Sequence, residues 1–158
     1  VAHSREHHYT ARVTWTGDLG QGTAGYKAYS RAHRIEIASK PDIAGSSDPA
    51  FRGDPSMHNP EDLLVASLSA CHMLWYLHLA ATKGIVVTGY RDEAGGTMRE
   101  GEDGQGRFTR VVLRPVVTIA QGDEATAAAL HAEAHRNCFI ANSVNFPVTH
   151  EATIRCER

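Results

Sequence analysis

The feature that most constrains this chain is a run of 19 residues, LLVASLSACHMLWYLHLAA from Leu63 to Ala81, of which 15 are apolar. A helix apolar on nearly every side is normally enclosed by protein. A bilayer span needs about 20 such residues. This run, however, carries Ser67, Ser69, His72 and His78 and is closely flanked by Glu61, Asp62 and Lys83. The expectation is a buried helix of a water-soluble fold and no membrane. Its start is marked by Asn59 as cap, Pro60 at the first helical position, and Glu61 and Asp62 at the positive helix end. Gly84 marks its stop.

Around this helix the pattern changes to strands. Tyr9–Thr16 alternates polar and apolar residues, and Gly25–Ser30 and His33–Ser39 read as two further strands. Residues 40–58 hold Pro41, Gly45, Pro49, Gly53 and Pro55 among polar residues, a long loop of the kind that is usually either functional or disordered. After the helix, Ile85–Met98 and Phe108–Ala120 read as a strand pair joined by a polar turn near Glu100–Gly106. Asp123–Asn137 predicts an alanine-rich second helix capped near Asp123, and Pro147–Arg155 a closing strand. The expected fold is α+β, with mainly antiparallel sheets around a long buried central helix. The chain has 158 residues. That length suits a single domain over 1–158, able to bury roughly two thirds of its unfolded surface without a staple.

Composition excludes several classes. A formal net charge of −2 gives no basic footprint for nucleic acid. Three cysteines are too few and too odd for a secreted disulfide scaffold, and the N-terminal stretch Val1–His8 has no apolar signal segment. Both readings point to the reducing cytoplasm. The sequence contains no P-loop, no G-x-G-x-x-G after a strand and no G-x-S-x-G.

The chemistry-bearing candidates are the cysteines. Cys71 lies mid-helix, too far from the helix start for the dipole to activate it, since ten residues span about 15 Å. A reactive Cys71 therefore needs a cation from elsewhere, or else it is an ordinary core residue. Cys138 follows the second helix and is open to the same two readings. Cys156 reads as a bystander. His131, His135 and Cys138 share one helix face if the helix extends that far. Without a Glu after the first His and without C-x-x-C, a solvated polar face is the plainer reading than a metal site.

The segment Asn59-Pro60-Glu61 and the small-residue run ending at Cys71, taken with Cys138-Phe139-Ile140-Ala141-Asn142-Ser143-Val144, resembles the signature of the OsmC/Ohr family of thiol-dependent peroxidases. The order of elements agrees over nearly the whole chain. The resemblance implies an intertwined homodimer and reduction of organic hydroperoxides, or less efficiently of hydrogen peroxide. It implies Cys71 as peroxidatic cysteine, Cys138 as resolving cysteine, Glu61 as the family glutamate, and an upstream arginine. Arg52 in the long loop is the preferred match, with Arg12, Arg31 and Arg34 as alternatives. It implies no bound cofactor and no metal, but an external dithiol reductant of lipoyl or small-molecule type. Two departures bear on peroxide preference and reductant: His72 stands where Phe is common, and Phe139 where Pro is common. Phe51, Met57, Trp75 and Phe139 are apolar residues suited either to the organic part of a hydroperoxide or to core packing.

Glu61 and Cys71 lie about 15 Å apart along one helix and on different faces. Glu61, with Arg52, is therefore expected to complete the site around Cys71 of the partner subunit. The competing functional classes are a non-catalytic member of the same fold that binds a small apolar ligand or senses oxidation, and a metal-binding protein using histidines with Cys138.

Overall fold

The computed structural model describes residues 5–157; residues 1–4, including His3, and residue 158 lie outside the described residues. The chain forms two compact units, residues 1–63 and residues 64–158.

In the first unit, β1 (Arg12–Trp15), β2 (His33–Glu36) and β3 (Ile43–Gly45) form an antiparallel sheet in that order. The strand expected over Gly25–Ser30 is absent; that stretch is a succession of turns. Local hydrogen bonds replace a ladder there. Asp18 Oδ1 accepts from the N–H groups of Gly20 and Gly22, both glycines having positive φ, and Arg31 donates to the carbonyls of Tyr29 and Tyr26. The long loop is ordered by its own side chains. Asp48 caps the short 3-10 turn Pro49–Phe51 by accepting from Ala50 N–H at 2.7 Å, and the buried Ser46 Oγ accepts from Asp54 N–H. A Cβ on Gly53 would overlap the Ser47 carbonyl, so the loop closes only with glycine there.

α1 (Pro60–Thr82) begins as expected. Asn59 Oδ1 accepts from Asp62 N–H at 2.8 Å, and the Asp62 carboxylate accepts from Asn59 N–H at 3.3 Å. This is a reciprocal cap of the capping-box kind.

In the second unit the two long arms after α1 each break once, giving β4 (Val86–Asp92), β5 (Gly95–Glu100), β6 (Gly106–Leu113) and β7 (Pro115–Gln121). The break has a local cause. Asp92 Oδ1 takes the Arg114 N–H at 2.6 Å, and Pro115 has no N–H to offer a ladder. α2 (Glu124–Asn137) is capped by Asp123, which accepts from Thr126 N–H. The expected closing strand is two strands, β8 (Val148–His150) and β9 (Thr153–Cys156). Both run parallel to their neighbours, so the sheets β4-β7-β9 and β5-β6-β8 are mixed rather than antiparallel.

Two apolar cores result. Tyr76, Leu79, Ala80, Val117, Ile119, Ala127, Leu130 and Ala134 form one. Leu68, Val111, Leu113 and Val148 form the other. α1 buries one stripe, Leu68, His72, Tyr76, Leu79 and Ala80, while Leu74 on another face is 62% exposed. The expectation of a helix enclosed on all sides is therefore met on one face only.

Candidate functional site

Cys71 is half-buried on α1, and Cys138 is buried at the C-cap of α2; both are free thiols. Cys138 N–H donates to His135 O, and Cys138 Sγ accepts from Ala141 N–H at 3.4 Å. Burial pushes the Cys138 pKa up to about 11; the Ala141 N–H acts in the opposite sense, and the Cys71 side chain adds to the rise. The two thiols, 67 positions apart in sequence (138 less 71), are thus near enough for Cys71 to influence the ionisation of Cys138. The short 3-10 turn Ala141–Ser143 supports this arrangement: Ser143 N–H bonds to Ile140 O and Asn142 N–H to Cys138 O.

Beside the thiols lies an apolar surface. Trp75, one turn after Cys71, meets Phe139 edge to face with centroids 5.5 Å apart, a favoured aromatic geometry. Phe139 is 68% exposed. Leu74, Trp75 and His78 line an open hollow of about 250 Å³. Phe51 and Met57, the other apolar candidates, belong to the first unit.

Arg52 and Glu61 also belong to the first unit. Arg52 is exposed, ends the 3-10 turn with left-handed backbone at φ 64, and makes no ion pair among the described residues. Of the alternatives, Arg31 is held between the rings of Tyr26 and Tyr29, 4.6 and 4.1 Å from their centroids. Arg34 pairs with Glu36 and Asp42. Arg12 is exposed on β1, opposite Glu36. Glu61 Oε2 is enclosed with no hydrogen-bond partner among the described residues, which leaves a carboxylate oxygen in need of a donor. Cys156 is exposed, with Sγ 3.9 Å from Glu124.

The reading of His131 as part of a solvated face is corrected. His131 is fully buried, because its face of α2 also carries Ala127, Leu130 and Ala134 of the core. Its Nδ1 meets His72 Nε2 at 3.0 Å, and Tyr76 stacks on its ring at 4.1 Å. His150 on β8 lies 5.7 Å from both rings. Among the described residues, no group of three or more His, Cys, Asp or Glu side chains is arranged to hold a metal ion. The signal for the buried pair was present in the sequence: His72 falls on the i, i+4 stripe of Leu68 and Tyr76, and a buried imidazole needs a partner.

Comparison with known proteins places this geometry. The profile of the family described as OsmC-like protein matches residues 53–153. A Vibrio cholerae OsmC-like protein of unknown function is 34% identical, with a TM-score of 0.84, covering 93% of this chain and 99% of that one. The fold is also that of an organic hydroperoxide resistance protein from Elizabethkingia anophelis, with 15% identity, a TM-score of 0.68, and coverage of 97% and 99%. It is shared too by the organic hydroperoxide resistance protein OhrB of Bacillus subtilis, with 23% identity, a TM-score of 0.58, and coverage of 93% and 98%. No curated protein matches the chain. On the profile match and the Vibrio relative together, the chain belongs to the OsmC-like family.

Proposed function

We propose that this protein is a thiol-dependent peroxidase for organic hydroperoxides, with Cys71 as the attacking thiol and Cys138 as the resolving one. The observation that carries the reading is that Cys71 lies near enough to Cys138 to influence its ionisation. It also supports the division of roles. A thiol of ordinary pKa, about 8.5, is a few per cent thiolate at neutral pH. Cys138, pushed to about 11 by burial, is far less ionised and is a poor first nucleophile. Half-buried Cys71, beside Trp75 and Phe139, is the thiol that a hydroperoxide with an apolar tail can approach.

Cys71 thiolate attacks one peroxide oxygen. An S–O bond forms, the O–O bond breaks, and the alkoxide leaves and takes a proton, giving an alcohol and the Cys71 sulfenic acid. Cys138 then condenses with that sulfenic acid, forming the disulfide and releasing water. An external dithiol reduces the disulfide by exchange and is itself oxidised. Arg52 supplies the cation that favours the thiolate and donates to the peroxide; support comes from its lack of an ion pair among the described residues while Arg31 and Arg34 are engaged. Glu61, whose Oε2 has no donor among the described residues, and Arg52 together complete the site of a partner subunit in a homodimer. The exposed apolar residues of α1 support a second copy as their cover.

The test is consumption of cumene hydroperoxide by the purified protein with a dithiol reductant. Turnover is expected for the native chain and none for Cys71→Ser. Turnover retained in Cys71→Ser would remove the mechanism. Sedimentation of the native protein as a monomer would remove the shared site.

A further inference from the structure

His72 and His131 form one of two buried polar contacts between α1 and α2; in the other, the Tyr76 hydroxyl donates to the Ala127 carbonyl at 3.0 Å. Both histidines are at most 1% exposed. Their rings are 4° from parallel and joined by the 3.0 Å hydrogen bond between His72 Nε2 and His131 Nδ1. The other nitrogen of each ring, His72 Nδ1 and His131 Nε2, is buried with no partner among the described residues. One neutral hydrogen bond contributes about 1 kcal/mol, and an unpaired buried polar atom costs about as much or more. Two apolar side chains would fill the same space without orphaned atoms. Stability alone therefore does not account for the pair, and an unsatisfied buried group calls for another reason.

The location supplies one. His72 adjoins Cys71 on α1. His131 lies seven residues before Cys138, two turns along the same face of α2 and about 10 Å away along its axis. The imidazole contact thus joins α1 to α2 between the Tyr76–Ala127 hydrogen bond at the start of α2 and Cys138 at its end. The Tyr76 bond holds the first turn of α2, whereas the imidazole bond is the polar contact nearer its C-terminal end and sets the angle at which that end presents Cys138 to Cys71. A hydrogen bond enforces this more sharply than apolar packing, because it needs one donor, one acceptor and near-linear geometry.

We propose that His72 and His131 are positioning residues, a clasp that holds Cys71 and Cys138 in bridging register. The clasp deepens the peroxidase reading, which it rests on for its purpose, but its effect on the disulfide is independent of any peroxide. Loss of the clasp lowers the effective concentration of one cysteine at the other. The disulfide is then less favoured, and the Cys71 sulfenic acid lives longer before it condenses.

The experiment uses the full chain in two arms. In the first, the Cys71–Cys138 disulfide is equilibrated with reduced and oxidised dithiothreitol. Glutamine places its amide nitrogen near the position of an imidazole Nε2, and asparagine near that of Nδ1. His72→Gln and His131→Asn are therefore expected to keep the equilibrium constant within about twofold of the native value. His72→Asn and His131→Gln are expected to lower it at least about tenfold, a potential change of about 30 mV. Because each pair compares two amides of similar size, a general packing loss would lower both members together; that result, or no change in any variant, would overturn the clasp. In the second arm, one equivalent of cumene hydroperoxide is added and the sulfenic acid is trapped with dimedone. More label in His72→Asn than in His72→Gln supports the clasp, and equal label counts against it. If the native protein forms the disulfide but leaves peroxide untouched, the peroxidase reading falls while the first arm still decides the clasp. If dithiothreitol yields no Cys71–Cys138 disulfide in the native protein, the clasp falls.

Discussion

Ser69 on α1 donates its hydroxyl to Asp92 Oδ2 at the end of β4, 2.5 Å away. Asp92 Oδ1 meanwhile accepts the Arg114 N–H, so one carboxylate joins the helix turn before Cys71 to the point where both long strand arms break. A hydrogen bond to a charged, partly buried group contributes about 1.5–3 kcal/mol. Ser69→Ala is expected to lower unfolding free energy by about that amount, and Asp92→Ala by more, because it also frees the Arg114 N–H at the strand break. Urea unfolding checks this; an unchanged midpoint in Asp92→Ala would show that the break is held by Pro115 alone.

Stability is expected to fall in acid because of the imidazole pair. Burial lowers the His72 pKa to about 4, with the charges of His150 and His135 adding to the effect and Asp92 opposing it. His131 is lowered to about 3, by burial first and then by His72 and His150. An unfolded histidine titrates near 6.5. Between these values the unfolded chain binds more protons, so the contribution is complete above about pH 6.5, is lost as pH falls through the window, and levels off below the folded values. Each ring steepens the curve by at most about 1.4 kcal/mol per pH unit, less where solvent screens it. Urea midpoints at about pH 7.5 and about pH 5 give the measurement. The double variant His72→Phe/His131→Phe should show a flatter dependence, and an equal slope would mean that the acid sensitivity arises elsewhere.

Much of this was legible in the residues, and the losses have physical causes. Asn59 and Asp62 announce their cap because capping is local, and α1 appears almost at its expected ends. The Gly25–Ser30 strand failed because a single guanidinium, Arg31, takes the two carbonyls that a ladder would need. The four-strand division failed for a related reason: the Asp92 bond to Arg114 spans 22 residues, and no window on the sequence sees it. The pairing of Cys71 with Cys138 is an expectation of family resemblance, which periodicity alone does not give. The His72–His131 bond joins positions 59 apart, and only the stripe on each helix hinted that both rings point inward.

Arg52 holds left-handed backbone at φ 64, a conformation that costs a residue with a Cβ about 1–2 kcal/mol and costs glycine almost nothing. Arg52→Gly is expected to raise unfolding free energy by up to about 1 kcal/mol, the extra freedom of unfolded glycine offsetting part of the gain. Peroxide turnover should fall at least about tenfold in the same variant. Thermal melting and a cumene hydroperoxide assay on one preparation test both halves. A variant that is more stable and fully active would return the search for the cation to Arg12.

Cys138→Ser separates the two chemical steps. Serine keeps an acceptor for the Ala141 N–H that Cys138 Sγ now takes, and it is smaller than the thiol it replaces, so the C-cap turn should survive. The attack on peroxide needs only Cys71, and the variant should still consume about one equivalent of cumene hydroperoxide per chain, the stoichiometry of a single thiol oxidation. Condensation is lost, and Cys71 should accumulate as the sulfenic acid, trapped by dimedone and read by mass at the Cys71 peptide. Dithiol-driven turnover should drop at least about tenfold, because the reductant must then attack a sulfenic acid on a half-buried helix in place of a disulfide. Full turnover in Cys138→Ser would show that the external dithiol resolves Cys71 directly. Cys138 would then be a packing residue of the α2 cap.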